Sequence, residues 1–180
     1  MTSQEIFSKP TAELLAALRL NEGARVATAG QSGANVNEKG YQGMTPIIFA
    51  VLQLDQRLVA SLLRLGSDPN LRQDDGHNAV TAAYELSRNH PQLLATLLLS
   101  GKVEANTRMP DGEPMIYYLI GTRRLDLLKL ALQQGANPAI RTRSNRDLVI
   151  EAALLQEYDA VDLLLDAGAS PNSADAAGTS

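Results

Sequence analysis

The sequence predicts an all-α chain of stacked helix–turn–helix units, and three observations carry that expectation. A glycine followed by a polar turn closes an apolar run at Gly66, Gly101, Gly135 and Gly168, at intervals of 35, 34 and 33 residues. A second marker, Gly43, Gly76, Gly112 and then Asn145, recurs at 33, 36 and 33 residues. Two independent registers agree on one period, the signature of a repeat architecture. Aromatic residues make up only 4% of the chain and Trp is absent, while 44% of residues are hydrophobic. The core must therefore be Leu, Ala, Ile and Val packed closely between thin layers of helix.

Residues 1–37 read as a degenerate capping unit: 11–20 form an amphipathic helix, 24–31 a weaker second one, and no hairpin of their own follows. A terminal repeat covers one face of the core while showing water the other, so atypical sequence is expected there. Gly33 extends the first glycine series by another 33 residues. Residues 38–70 form the first full unit, with TPIIFAVLQ as first helix and QRLVASLLRLG as second. Apolar residues recur in both at helical spacing. Thr45 is the expected N-cap and Pro46 the first helical residue, where a missing N–H costs nothing. The glycine after each second helix suits a left-handed C′ position. The second unit spans 71–105, the third 106–139, the fourth 140–173, and 174–180 read as a frayed tail. Asn78 and Asp147 are expected to replace the Thr cap. Two extra residues in the second unit are placed in the turn between its helices, near Arg88 to Pro91, and one more near Met109 and Pro110.

The stretches GMTPIIFA, LVASLLRLGSDPN and VDLLLDAGASPN resemble the ankyrin repeat over roughly residues 38 to 173. The likeness is strong in period and in the second-helix ending, weaker in the opening, which is nearly intact only at Gly43-Met44-Thr45-Pro46-Ile47. The resemblance implies an ankyrin-type helix–turn–helix repeat solenoid with short hairpin loops. It also implies a concave binding surface lined by hairpin tips and first helices.

Chemistry is constrained by what is missing. With no Cys, disulfides, thiolate metal sites and a thiol nucleophile are excluded. The two histidines, His77 and His90, fall in different contexts, and no nucleophile-elbow, zinc-protease, Walker or dinucleotide motif is present. Asp74-Asp75-Gly76 looks like the start of a calcium loop, but the later acidic ligand of that motif is absent. The expectation is a non-enzyme with no metal and no cofactor. A net charge of −4 argues against nucleic acid, and no apolar run approaches a membrane span. The N-terminus has no signal-peptide pattern, so the expected location is cytoplasmic, or periplasmic or secreted if a signal peptide preceded this sequence.

The candidate protein-binding residues are Tyr41, Gln42 and Met44; Arg72, Asp74, His77 and Tyr84; Arg108, Met109, Glu113 and Tyr117; and Arg141, Arg143 and Arg146. Tyr and Arg are enriched at binding hot spots. Between Arg108 and Asp147 seven basic residues face four acidic ones, which suggests an acidic partner surface steered by charge. The expected function is a protein–protein interaction module acting as adaptor or inhibitor, with a toxin or effector as one target. The alternative is a structural or assembly subunit: a monomer that self-associates weakly through the apolar end of its fourth unit, near Leu163 to Leu165.

Overall fold

The computed structural model describes residues 1–171; the expected tail and the last two residues of the fourth unit lie outside the described residues. Eleven α-helices follow one another among them: α1 Ser3–Ile6, α2 Lys9–Arg19, α3 Gly23–Gln31, α4 Pro46–Leu52, α5 Gln56–Arg64, α6 Ala79–Leu86, α7 Pro91–Leu99, α8 Met115–Gly121, α9 Leu125–Gln133, α10 Leu148–Leu154 and α11 Tyr158–Asp166. A 3-10 turn covers Tyr41–Gly43, and isolated bridges pair Arg108 with Pro114 and Arg141 with Asp147. The chain divides into two compact units, Met1–Lys102 and a second beginning at Val103.

In the first unit α4 packs on α6 and α5 on α7, while α2 packs on α3 and α5. Ile47, Ile48, Leu58, Leu62, Leu93, Leu94, Leu97 and Leu98 are fully buried there. Each such side chain contributes about 1.5–3 kcal/mol by leaving water. The N-terminal pair is sealed by Phe7, whose ring meets that of Phe49 edge-on at 5.8 Å, and by Arg19 lying 5.4 Å over the Phe49 ring. Helix α1 was not foreseen; it brings Ile6 against Gly40, where a Cβ would strike the Ile6 carbonyl oxygen. In the second unit α8 packs on α9 and α10, and α11 on α9 and α10. Met115, Leu119, Ile120, Leu128, Leu148 and Leu164 fill its interior.

The glycine periodicity has the expected physical cause. Gly66 lies at φ +93°, and a Cβ there would meet nothing within 4 Å, so the left-handed backbone alone demands glycine. The Ser67 N–H then reaches back to the Leu62 carbonyl at 2.9 Å, closing α5 as a Schellman turn. The second glycine series is also left-handed, and Asn145 holds the same conformation at φ 62°, which Asn tolerates better than most residues.

The caps depart from expectation at two of three positions. Asn78 makes a full capping box, accepting from the Thr81 N–H while Thr81 Oγ1 accepts from the Asn78 N–H, both at 2.9 Å. Thr45 precedes α4 as expected, yet its hydroxyl makes no cap bond and is buried without a hydrogen-bond partner. Asp147 also occupies the N-cap without a cap bond, because its carboxylate is held by Arg141.

The insertions are placed differently as well. In the second repeat one extra residue lengthens α6 to 8 residues where α4 has 7, and only the other enlarges the turn. The third repeat's extra residue lies between Gly101 and Asn106 rather than near Met109 and Pro110. Hairpin bonds from Gln73 N–H to His77 O and from Met109 N–H to Glu113 O keep one register relative to Gly76 and Gly112, so the surplus must precede Met109. The linkers are tied by asparagines: Asn37 Oδ1 accepts the Asp68 N–H at 2.8 Å and Asn106 Oδ1 accepts the Asn137 N–H at 2.8 Å.

Candidate functional site

Each repeat carries one hairpin, and the hairpins share a backbone while displaying different side chains. The bond Gln73 N–H to His77 O, 2.7 Å, reappears as Met109 N–H to Glu113 O, 2.8 Å, and as Thr142 N–H to Arg146 O, 3.0 Å. Residues on this frame alternate in direction. Arg108 and Arg141 therefore stand outward, whereas Thr142 and Met109 turn inward. Met109, expected at a tip, is a correction to the sequence reading: it is only 8% exposed and belongs to the core.

In the first unit Tyr41 stands 55% exposed and Gln42 lies at φ 55° with its carbonyl accepting the Asp74 N–H at 3.3 Å. The two hairpins are thus joined through main chain, and a Cβ on Gly43 would fall 3.0 Å from the Asp74 nitrogen. Met44 and Tyr84 are half-buried and Asp74 is exposed. Arg72 folds back on its own hairpin to donate to the Gly76 carbonyl. His77 Nδ1 sits 3.4 Å from Thr81 Oγ1 and 3.7 Å from Glu85 Oε1.

In the second unit the two hairpins are joined through side chains. The Arg143 N–H donates to Glu113 Oε2 at 2.9 Å, and the Arg143 guanidinium donates to the Asp111 carbonyl at 3.1 Å. Arg108 spans the same gap, donating to the Gly112 carbonyl at 2.7 Å and the Arg141 carbonyl at 3.2 Å. The Tyr118 hydroxyl donates to the Asp111 carboxylate, and its ring meets Tyr117 edge-on at 5.2 Å. Tyr118's hydrogen bond and the Glu113 N–H hold the Asp111 carboxyl below its ordinary range. The same bond pushes the Tyr118 phenol up to about 12.

The basic cluster is less uniform than its sequence suggests. Arg141 pairs with Asp147 at 3.1 Å, and Arg146 with Glu151 at 2.8 Å; the side chains of Asp147 and Glu151 are each only 11% exposed. These two arginines neutralise largely buried carboxylates. Arg108 and Arg143 are exposed, and their guanidiniums donate to the backbone carbonyls of Gly112, Arg141 and Asp111. Asp111 is a hairpin-tip residue and Tyr118 a first-helix residue in the sequence as well, but their bond is not legible there; Tyr118 is adjacent to Tyr117, and only the hairpin geometry shows which of the pair reaches the tip.

Two-helix units with a hairpin between them define the ankyrin-repeat fold, and each compact unit of the chain has it. No family model matches it. It is 24% identical over 78% of its length to a putative ankyrin repeat protein of Acanthamoeba polyphaga mimivirus, covering 18% of that protein. It is 29% identical over 71% of its length to the B-cell lymphoma 3 protein homolog of Mus musculus, covering 29% of it. It is 26% identical over 74% to the mitochondrial disaggregase of Bos taurus, covering 20%. The chain thus spans between 18% and 29% of these curated relatives. Among solved structures it matches the ankyrin repeat domain of Bcl-3, a member of the IkappaB protein family, with a TM-score of 0.72 and 25% identity over 93% of this chain and 76% of that one.

Proposed function

We propose that the chain is a protein-interaction module, an adaptor or inhibitor, that contacts its partner through the tips of the two hairpins and the first helices of its second unit. The observation that carries this reading is the constant hairpin backbone bearing different side chains. Each hairpin is closed by a main-chain bond whatever its outward residues are, so the identity of those exposed residues can vary for recognition. Arg108, Arg143 and Tyr117 are the contact residues in this reading, and the partner offers carboxylates to the two guanidiniums. Arg141 and Arg146 support the surface from beneath.

The test is affinity capture from native lysate, comparing the wild type with an Arg108→Ala/Arg143→Ala variant and with Tyr117→Ala, after circular dichroism shows all three folded. A protein recovered stoichiometrically by wild type and lost by the double variant is the expected result. Equal recovery by both would sink the assignment of this surface. Suppression of the captured protein's activity at one-to-one stoichiometry would identify an inhibitor, including one directed at a toxin or effector.

A further inference from the structure

The first unit carries another kind of concavity, lined by its second helices and the turns that follow them rather than by the hairpin tips. Between α5 and α7 lies a groove of about 480 Å³ lined by Leu63, Arg64, Thr96, Leu99 and Lys102 among others. A smaller one of about 230 Å³, lined by Leu18, Val26, Arg64 and Leu65 among others, lies on the opposite side of α5. Arg64 lines both, so the two grooves meet at one guanidinium.

Their chemistry is one-sided. Leu99 is 65% exposed and Leu65 46% exposed, where the equivalent positions of the last two repeats hold Gln133 and Asp166, and Gln134 and Ala167. Every charged residue lining either groove is a cation, Arg64 or Lys102, and no carboxylate lines them. The cations are held at the end of α5: Lys102 Nζ donates to the Leu63 carbonyl at 2.8 Å, and Arg64 donates to Ser61 Oγ at 3.0 Å and to the Ala60 carbonyl at 3.4 Å. These acceptors are neutral, so both positive charges remain uncompensated by a carboxylate there. That is unusual in a chain of net charge −4.

From this geometry we infer that the α5–α7 groove is a docking site for an acidic amphipathic helix of a partner protein. Leucine-type side chains of that helix enter the groove against Leu63 and Leu99, and its carboxylates meet Arg64 and Lys102. A groove between two neighbouring helices accepts the side-chain ridge of a third, and an amphipathic helix laid into such a groove is a recurrent recognition mode. The charge pattern selects acidic over basic helices, since a like charge held against either cation is repelled. The site is independent of the hairpin surface, and the chain can fail at one and bind at the other.

The experiment is selection of a randomised peptide library, about 16 residues long and so ~24 Å as a helix, on the full chain. The probe is then the strongest selected peptide, fluorescein-labelled and titrated by anisotropy. Recovered peptides should combine Asp and Glu with Leu, Ile or Phe at helical spacing. Arg64→Glu/Lys102→Glu should weaken the selected peptide at least about tenfold, and Leu99→Ser, which leaves both charges, should also weaken it. Arg64→Gln/Lys102→Gln should give a smaller loss in the same direction and serves if charge reversal impairs folding. Arg108→Ala/Arg143→Ala should leave binding unchanged, which separates this site from the hairpin surface. Recovery of basic or charge-free peptides, of none above background, or of acidic peptides that bind the charge-reversed chain equally well would overturn the inference.

Discussion

Thr45 and Asn78 occupy the same place in successive repeats and use it differently. The Asn78 carboxamide satisfies an N–H that opens α6, so Asn78→Ala should cost about 1 kcal/mol in urea denaturation. The Thr45 hydroxyl is buried without a partner. Thr45→Val keeps the shape and removes the stranded polar group, so it should be neutral or stabilising by up to ~1 kcal/mol. The arginines divide in the same way. Arg146→Ala strips Glu151, whose side chain is 11% exposed, of its partner and should cost ~1–2 kcal/mol, below the value for a fully buried pair because Arg146 itself is part-exposed. Arg143→Ala should leave stability within about 0.5 kcal/mol of wild type. In the sequence all of these arginines look alike. Which carboxylate each one meets depends on a hairpin folding five or six residues back on itself, and spacing alone does not show that.

The bond between Tyr118 and Asp111 makes two linked pH predictions at this same scale. Asp111's carboxyl is held below its ordinary range, so its contribution to stability is present above the unfolded carboxylate's pKa and fades as pH falls through the folded one. The Tyr118 phenol is raised from 10.0 to about 12, so its contribution is full below 10 and lost as pH rises through about 12. In a spectrophotometric titration of phenolate absorbance one tyrosine should ionise near 12, and Asp111→Ala should return it toward 10. An unchanged late step in that variant would show that another group holds the phenol.

At the scale of the element, the turns between paired helices close on a left-handed residue at Leu54, Arg123 and Gln156, with φ of 57°, 58° and 59°. For a residue with a Cβ this conformation costs about 1–2 kcal/mol. Leu54→Asn should therefore raise the melting temperature by ~1–3 °C in calorimetry, while Leu54→Ala should not. The second repeat escapes the strain, because its longer turn at residues 87–90 has no left-handed residue. These three turns were illegible in the sequence since Leu, Arg and Gln carry no signal for them, whereas the turn between α2 and α3 holds Asn21 at φ 56°, a residue that tolerates the conformation. The turns after the second helices were legible because glycine occupies each one. Glycine spacing also counted the insertions correctly, but a count between two markers cannot say where along the interval the surplus lies. That is why one was assigned beside Met109 and found before Asn106.

At the scale of the whole molecule the period was readable because it is a property of many residues at once, and the all-α fold followed from it. The division after Lys102 was not readable, since it reflects packing between helices rather than any local composition. Self-association through the fourth repeat is expected to be weak at its outer helix faces, although Leu154, Leu155 and Tyr158 in the same repeat are exposed. Where the third repeat has Ile116, Ile120 and Leu128, all buried, the fourth has Val149, Ala153 and Val161, which are partly open to solvent. Smaller groups leave less apolar surface to drive association. Light scattering should show a monomer at all concentrations tested, and Ala153→Ile with Val161→Leu should introduce concentration-dependent association.

The repeated hairpin frame also bears on how such a chain changes over generations. Because a main-chain bond closes each hairpin whatever its outward residues are, a single substitution at a position such as Arg143 loses a tie between hairpins and keeps the hairpin itself. A lineage can then exchange one target for another by small steps, without ever crossing a sequence that fails to fold. Arg141 and Arg146 are the exceptions: each is tethered to a carboxylate beneath it, so those positions should drift more slowly than their exposed neighbours.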